Sequence, residues 1–214
     1  MNQKLLRALS RSDADEIKGF SSSNLLTGRT VQGNTALHIA ARLGNKNVVQ
    51  QIPSAQSLLL YEKNVKGKTP IHIAAAAGDV TVVKLFIDNQ SRVGVNILRM
   101  RDHDDNIPLH NATRSGHLQV VEKLTVEDPA TINFVNKARQ TPLAIAFDGS
   151  FTCIIKWIIS KDSESLNYTG FHNLTLLHSA VIRPDYSEKM IFKIDLLMFI
   201  YSSISFSYTS LYYI

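Results

Sequence analysis

The sequence has very few of the residues that build covalent or catalytic chemistry. Cysteine occurs once in 214 residues, as Cys153, so no disulfide can form within this sequence. Because Cys153 precedes the apolar pair Ile154-Ile155, we expect it to be a buried structural thiol. No phosphate-binding glycine loop, nucleophile elbow or zinc-ligand cluster occurs in the sequence. These absences predict a protein that is not an enzyme and that has no metal, cofactor or catalytic residue.

The net charge and the first residues of the sequence argue against a nucleic-acid-binding protein and against a secreted protein. The formal net charge is +5, which is too modest on its own to imply a nucleic-acid partner. No charged stretch followed by an apolar core opens the sequence, so we expect no secretory signal and an intracellular location. Hydrophobic residues make up 44% of the chain, which is enough for one continuous core.

One short segment recurs five times at an almost constant interval. It opens at Thr35, Thr69, Ile107, Thr141 and Thr175, in steps of 34, 38, 34 and 34 residues. Threonine favours the N-cap of a helix, and proline, which follows two of these threonines, is tolerated at the first helical position. A period in this range predicts a solenoid whose units bury their apolar faces against their neighbours.

Small and apolar residues keep the same phase in successive units. Glycine is expected to end the first helix of a unit, and an apolar pair marks the second helix. The glycines are Gly44, Gly78 and Gly116, and the pairs are Val48-Val49, Val82-Val83, Val120-Val121 and Ile154-Ile155. Each unit is therefore predicted to be two helices joined by a tight turn and followed by a loop. The step of 38 residues places four extra residues within Asp88–Arg99, in a longer second helix or in the loop after it.

The segments Thr69-Pro70-Ile71-His72 and Ile107-Pro108-Leu109-His110, with the small residues and glycines that follow them, resemble the signature of ankyrin repeats. The resemblance implies an all-α ankyrin-repeat solenoid of stacked helix-turn-helix units with projecting loops. We expect an ankyrin domain over 1–188, made of a degenerate capping repeat (1–32), repeats at 33–66, 67–104, 105–138 and 139–172, and an incomplete last repeat (173–188). For the hydrophobic tail at 189–214 three interpretations stay open: an aberrant or truncated end, a membrane or interfacial segment, and a native cap.

Histidine stands at the fourth position of most of these openings. The four histidines lie in different units, so they do not converge on one metal ion. In ankyrin repeats this histidine hydrogen-bonds near the threonine and ties adjacent units together, and the resemblance implies that role here. The expected structural signature comprises Thr35, His38, Thr69, His72, His110, Thr141, Thr175 and His178.

The loops before the openings carry much of the charge and should project along one edge of the stack. We call them fingers one to four, which cover residues 29–34, 63–68, 101–106 and 135–140. With exposed positions on the first helices, among them Leu43, Ala77 and Thr113, they would form a concave surface that binds other proteins. The expected contact residues are Arg29, Arg42, Lys63, Lys66, Lys68, Arg101, Arg114, Lys137 and Arg139. The alternative is that these are ordinary solvated charges.

Three segments resemble one particular group of ankyrin-repeat proteins. Arg29–Thr35, Asn64–Thr69 and Ile97–Met100 resemble plant ankyrin-repeat membrane proteins of the accelerated-cell-death type. That family joins cytosolic ankyrin repeats to a C-terminal transmembrane domain with a Pro-Gly-Gly motif, and it is associated with defence and stress signalling. No Pro-Gly-Gly occurs in this sequence, so we expect the membrane half to be missing.

The narrower resemblance implies a membrane-linked signalling adaptor in plant defence or stress response, with a cytosolic ankyrin domain at the plasma membrane. Membrane association would come from the C-terminal tail or from the missing C-terminal domain. The alternative is a free soluble ankyrin scaffold, or a truncated competitor of a full-length membrane relative. Both interpretations make other proteins the partners.

Overall fold

A computed structural model describes residues 28–50, 54–90, 95–162 and 165 of the chain. Most of the expected capping repeat, the incomplete last repeat with Thr175 and His178, and the tail at 189–214 lie outside the described residues. Within the described residues the secondary structure consists of α-helices and short 3₁₀ helices without any strand. The all-α class predicted from the sequence is confirmed.

The α-helices follow one another in pairs. The first helices of the pairs are α1 (Ala36–Leu43), α3 (Pro70–Ala77), α5 (Pro108–Arg114) and α7 (Pro142–Asp148). The second helices are α2 (Lys46–Gln50), α4 (Val80–Gln90), α6 (Leu118–Glu127) and α8 (Thr152–Lys161). Short 3₁₀ helices at Ser54–Tyr61, Ile97–Arg99 and Pro129–Asn133 precede the next finger. We call the first helices inner and the second helices outer, and the inner face consists of the inner helices and the fingers.

Small side chains allow the inner helices to pack closely in chain order. α3 packs against α1 and α5, and α5 packs against α7. Ala40, Ala41, Ala74 and Ala75 are fully buried at these contacts. The apolar pairs of the outer helices are buried as well. Each unit therefore completes its core against its neighbours, which confirms the ankyrin-solenoid architecture.

The turn between the two helices of a unit contains a residue with positive φ. Gly44, Gly78 and Gly116 have φ values of 68°, 83° and 75°, as the glycine positions predicted. In the fourth unit Ser150 takes this conformation, with φ 57°. At Gly78 the next unit also approaches closely, since a Cβ there would lie 2.6 Å from Nδ1 of His117. Glycine is therefore required at that position for both backbone conformation and space.

The extra residues of the second unit hardly lengthen its outer helix. α4 has 11 residues and α6 has 10, so most of the insertion follows Gln90. Of the two placements expected from the sequence, the one after the helix holds for most of these residues, of which 91–94 lie outside the described residues.

The prediction of a buried thiol at Cys153 is wrong, because Cys153 is exposed. α8 buries one stripe, made of Ile154, Ile155, Ile158 and Ile159. Cys153 precedes that stripe and shares the solvent side of the helix with Lys156, three residues later. Proximity in sequence to a buried pair therefore did not place the thiol in the core.

Cys153 is expected to react with Ellman's reagent in the native protein. The chain has a single cysteine, so one equivalent of thionitrobenzoate should be released per chain without denaturant. The same protein in urea gives the reference rate for a fully accessible thiol. A native chain that reacts only after urea is added would contradict the orientation of α8.

Candidate protein-binding surface

The fingers lie side by side because their backbones hydrogen-bond from one unit to the next. The amides of Val65, His103 and Lys137 donate to the carbonyls of Gln32, Lys66 and Asp104, over 3.0, 3.1 and 2.9 Å. Each finger also contains one residue with positive φ, namely Gly33, Gly67, Asp105 or Arg139. The finger backbones thus form a regular edge along the inner face.

A cation six residues before the opening residue ties each finger to the next. Arg29 donates to the carbonyl of Lys63 over 2.9 Å, and Lys63 donates to that of Arg101 over 2.8 Å. Arg101 in turn donates to the carbonyl of Val135 over 2.8 Å, and Arg29 also pairs with Glu62. These three predicted contact residues bond neighbouring units, a role that sequence reasoning missed although the constant position was a signal for it.

Three more of the predicted contact residues also have bonds within the stack. Lys68 is half-buried, and its Nζ donates to Oδ1 of Asn111 over 3.2 Å. Arg114 is exposed and donates to Oδ1 of Asn106 over 3.2 Å. Lys137 donates to the carbonyl of His103 in the preceding finger. The side chains of these three cations are therefore already hydrogen-bonded within the stack.

The remaining three predicted contact residues, Arg42, Lys66 and Arg139, are exposed. Arg42 lies in the last turn of α1, and the other two lie in fingers two and four. Among the hydrogen bonds and ion pairs of the described residues, none involves the side chain of any of these three. Their charges on the inner face are therefore open to a partner.

The histidines of the openings hydrogen-bond each unit to the next. Nε2 of His38 bonds the carbonyl of Lys68 over 2.8 Å, and Nε2 of His72 bonds that of Asn106 over 3.0 Å. His110 makes the equivalent bond to Gln140 over 3.1 Å. These rings are fully buried. Each bonded carbonyl belongs to the last residue of the next finger, so the histidines fix the position of that residue.

The ring nitrogen that faces the opening residue acts as an acceptor. Nδ1 of His38 and Nδ1 of His72 accept the backbone N–H of Thr35 and Thr69, each over 3.2 Å. Nδ1 therefore carries no proton, and Nε2–H is the donor to the neighbouring carbonyl. Burial lowers the pKa of His72 from its usual 6.5 to about 4, so the neutral ring dominates near neutral pH.

The openings of the third and fourth units differ in detail. Ile107 has no hydroxyl, and only its backbone N–H donates to Nδ1 of His110, over 3.3 Å. Thr141 precedes an alanine in place of histidine, and its Oγ1 accepts the N–H of Ala144 over 3.2 Å. Thr141 is therefore an N-cap in the ordinary sense, whereas the hydroxyls of Thr35 and Thr69 bond to a histidine ring.

The expectation that Thr113 is exposed on the concave surface is wrong. Thr113 is fully buried, and its Oγ1 donates to the carbonyl of Leu109 over 2.9 Å. It occupies the same position in its unit as the buried Ala41 and Ala75. That position packs against the neighbouring unit, which leaves no room for a contact with a partner.

Two further properties of the described residues bear on function. They contain no group of three or more histidine, cysteine or acidic side chains arranged to hold a metal ion. Among the helices they form, none has the length and apolar character needed to cross a bilayer.

Comparison with known proteins agrees with this architecture. A family model described as ankyrin repeats in three copies matches residues 51–136, and one described as an ankyrin repeat matches residues 32–63. Protein ACCELERATED CELL DEATH 6 of Arabidopsis thaliana is 29% identical over 73 residues, which are 34% of this chain and 11% of that protein. With paired helices, buried alanines and histidine ties in the same register, residues 32–136 of the chain are ankyrin repeats.

Proposed function

We propose that this chain is a membrane-linked signalling adaptor in plant defence or stress response, which binds another protein through its inner face. Ankyrin repeats are protein-interaction modules, and a solenoid offers an extended surface for that purpose. The plant setting is supported by the similarity to Protein ACCELERATED CELL DEATH 6. The resemblance of Arg29–Thr35, Asn64–Thr69 and Ile97–Met100 to that type of protein supports it as well.

The observation that carries the proposed binding surface is the division of the cations into two groups. Arg29, Lys63 and Arg101 bond the next finger, whereas Arg42 and Arg139 are exposed without such bonds among the described residues. Arg139 also holds a φ of 54°, a conformation that is costly for a residue with a side chain. Arginine is enriched among the residues that dominate interface energies. The second group is therefore available for direct contact with an acidic partner surface.

Reversing three open charges is expected to remove partner binding and to leave the fold intact. The variant combines Arg42→Glu, Lys66→Glu and Arg139→Glu. Because all three side chains are exposed, each change should alter the unfolding free energy by about 0.5 kcal/mol or less. Thermal melting checks the fold, and quantitative comparison of the proteins retained from a cell extract checks binding.

A charge-matched control uses the outer helices. Lys46→Glu, Lys84→Glu and Lys156→Glu make the same change in net charge at exposed positions of α2, α4 and α8. If both triple variants lose the same proteins to the same degree, net charge alone retains those proteins. That result would contradict specific binding by the inner face.

The alternative, a free soluble ankyrin scaffold or competitor, is separated from the adaptor by membrane fractionation. The full chain is compared with a chain ending at Asp185, after washes with high salt and with carbonate. An adaptor held through residues after 185 should stay with membranes through both washes, and the shorter chain should be released. Recovery of both chains in the soluble fraction would favour the scaffold.

A further inference from the structure

Asn111 interrupts the repeat pattern on the inner face. The equivalent positions of the other units, four residues after the opening residue, hold Ile39, Ile73 and Ile145. Asn111 is 3% exposed, and its Nδ2 has no hydrogen-bond partner among the described residues. A buried donor without a partner lowers stability. A buried polar residue with an unpaired donor, at a position that is apolar in the other units, marks this place as a candidate binding site.

Lys68 contacts this amide, and Arg114 lies about one turn further along the same helix as Asn111. Nζ of Lys68 donates to Oδ1 of Asn111 over 3.2 Å, which places the ammonium next to the unpaired Nδ2 of the same amide. Arg114 lies three residues later on α5 and donates to Oδ1 of Asn106 over 3.2 Å. Burial lowers the pKa of Lys68; Asp102 opposes this change and Arg114 adds to it. The two cations are therefore close enough to repel each other.

The nearby buried carboxylate is already engaged by its own finger. Asp102 is 5% exposed, and its Oδ1 accepts the backbone amides of Asp104 and Asn106, each over 2.9 Å. Within the described residues, no ion pair joins Lys68 or Arg114 to an acidic side chain. Both cations are left with neutral amide oxygens as hydrogen-bond partners.

We propose that Lys68, Asn111 and Arg114 form a carboxylate-binding site on the inner face, which takes a glutamate or aspartate side chain of the partner protein. The guanidinium of Arg114 offers a fork of donors that matches a carboxylate, and the ammonium of Lys68 supplies a second charge. Lys68 moves from Asn111 towards the incoming carboxylate, which opens the amide of Asn111 to it. This site rests on the proposed protein-binding function and names the chemistry of its partner.

The test measures binding of N-acetylated, C-amidated hexaglutamate to the full chain by calorimetry at physiological salt. Lys68→Gln and Arg114→Gln should each raise Kd about tenfold, because each removes one charge-assisted hydrogen bond. The control Lys84→Gln removes an exposed charge from α4 and should change Kd less than twofold. Asn111→Ile restores the repeat pattern, and it should raise Kd and the melting temperature together.

Three results would overturn the site. The first is an absence of hexaglutamate binding to the unaltered chain. The second is an equal loss of affinity in Lys84→Gln and Arg114→Gln, which indicates diffuse attraction. The third is displacement of hexaglutamate by inorganic phosphate at matched ionic strength, which indicates a phosphate site. A protein that the unaltered chain retains and that the Arg42, Lys66 and Arg139 variant loses would still support the proposed function. Failure of the carboxylate site can therefore be told apart from failure of the proposed function.

Discussion

Ala74→Asp is expected to unfold the stack. Ala74 is 0% exposed on α3, the inner helix that packs against both α1 and α5. An aspartate there would bury a charge without a partner, which costs about 3–5 kcal/mol or more. Domains of this kind have only about 5–15 kcal/mol of stability. Circular dichroism should show a large fall in melting temperature or no folded state at all.

Ala77→Asp is the matched control on the same helix. Ala77 is exposed at the end of α3, so the same side chain would stay in water and should alter stability by only about 0.5 kcal/mol. If the two variants melted alike, the alanine at position 74 would not face a neighbouring unit, and the repeat register described above would be wrong.

The unfolding free energy is expected to fall steeply as the pH drops from 7 to 5. Burial lowers the pKa of both His72 and His110 to about 4 in the folded chain, against 6.5 when exposed. Between these two values the unfolded chain binds protons that the folded chain does not, so stability falls as the pH falls. The loss should be about 2 kcal/mol for each histidine by pH 5, and about 3 kcal/mol each by pH 4.

Urea unfolding at a series of pH values measures this effect. The range from pH 7 to pH 5 lies above the usual pKa of aspartate and glutamate, so the histidines dominate the slope there. His72→Asn should lower the overall stability and also reduce the mean slope over this range by about 0.7 proton. An unfolding free energy that stays constant from pH 7 to pH 5 would contradict the neutral, buried rings described for these histidines.

The repeat pattern alone was enough to predict the parts of the structure that depend on local backbone rules. Positive φ at Gly44 and Gly78 and the buried apolar pairs of the outer helices follow from residue type and phase, which the sequence shows directly. The histidine role came instead from the family resemblance. In the structure, His38 and His72 perform this role by hydrogen-bonding the next finger.

The errors in the sequence analysis arose where single residues were judged outside the repeat phase. Cys153 occupies the position of Thr81 and Gln119 in their units, and all three are exposed. Thr113 likewise shares its position with the buried Ala75. Comparing units position by position would have placed both residues correctly.

Some features of the inner face could not be predicted from one sequence. A lysine in a loop is able to reach solvent, a partner or a neighbouring carbonyl, and the choice depends on the spacing between stacked units. Lys63 reaches the carbonyl of Arg101, whereas Lys66, three residues later, has no such bond among the described residues. The unpaired amide of Asn111 likewise becomes evident only when its surroundings are known.

Site-specific photo-crosslinking in cells tests whether the inner face binds a partner protein. A photoreactive amino acid is placed at position 42 or 139 on the inner face, or at position 84 on α4. One shared crosslinked partner is expected from positions 42 and 139, with little or none from position 84. Crosslinks to that partner mainly from position 84 would instead place the binding surface on the outer helices.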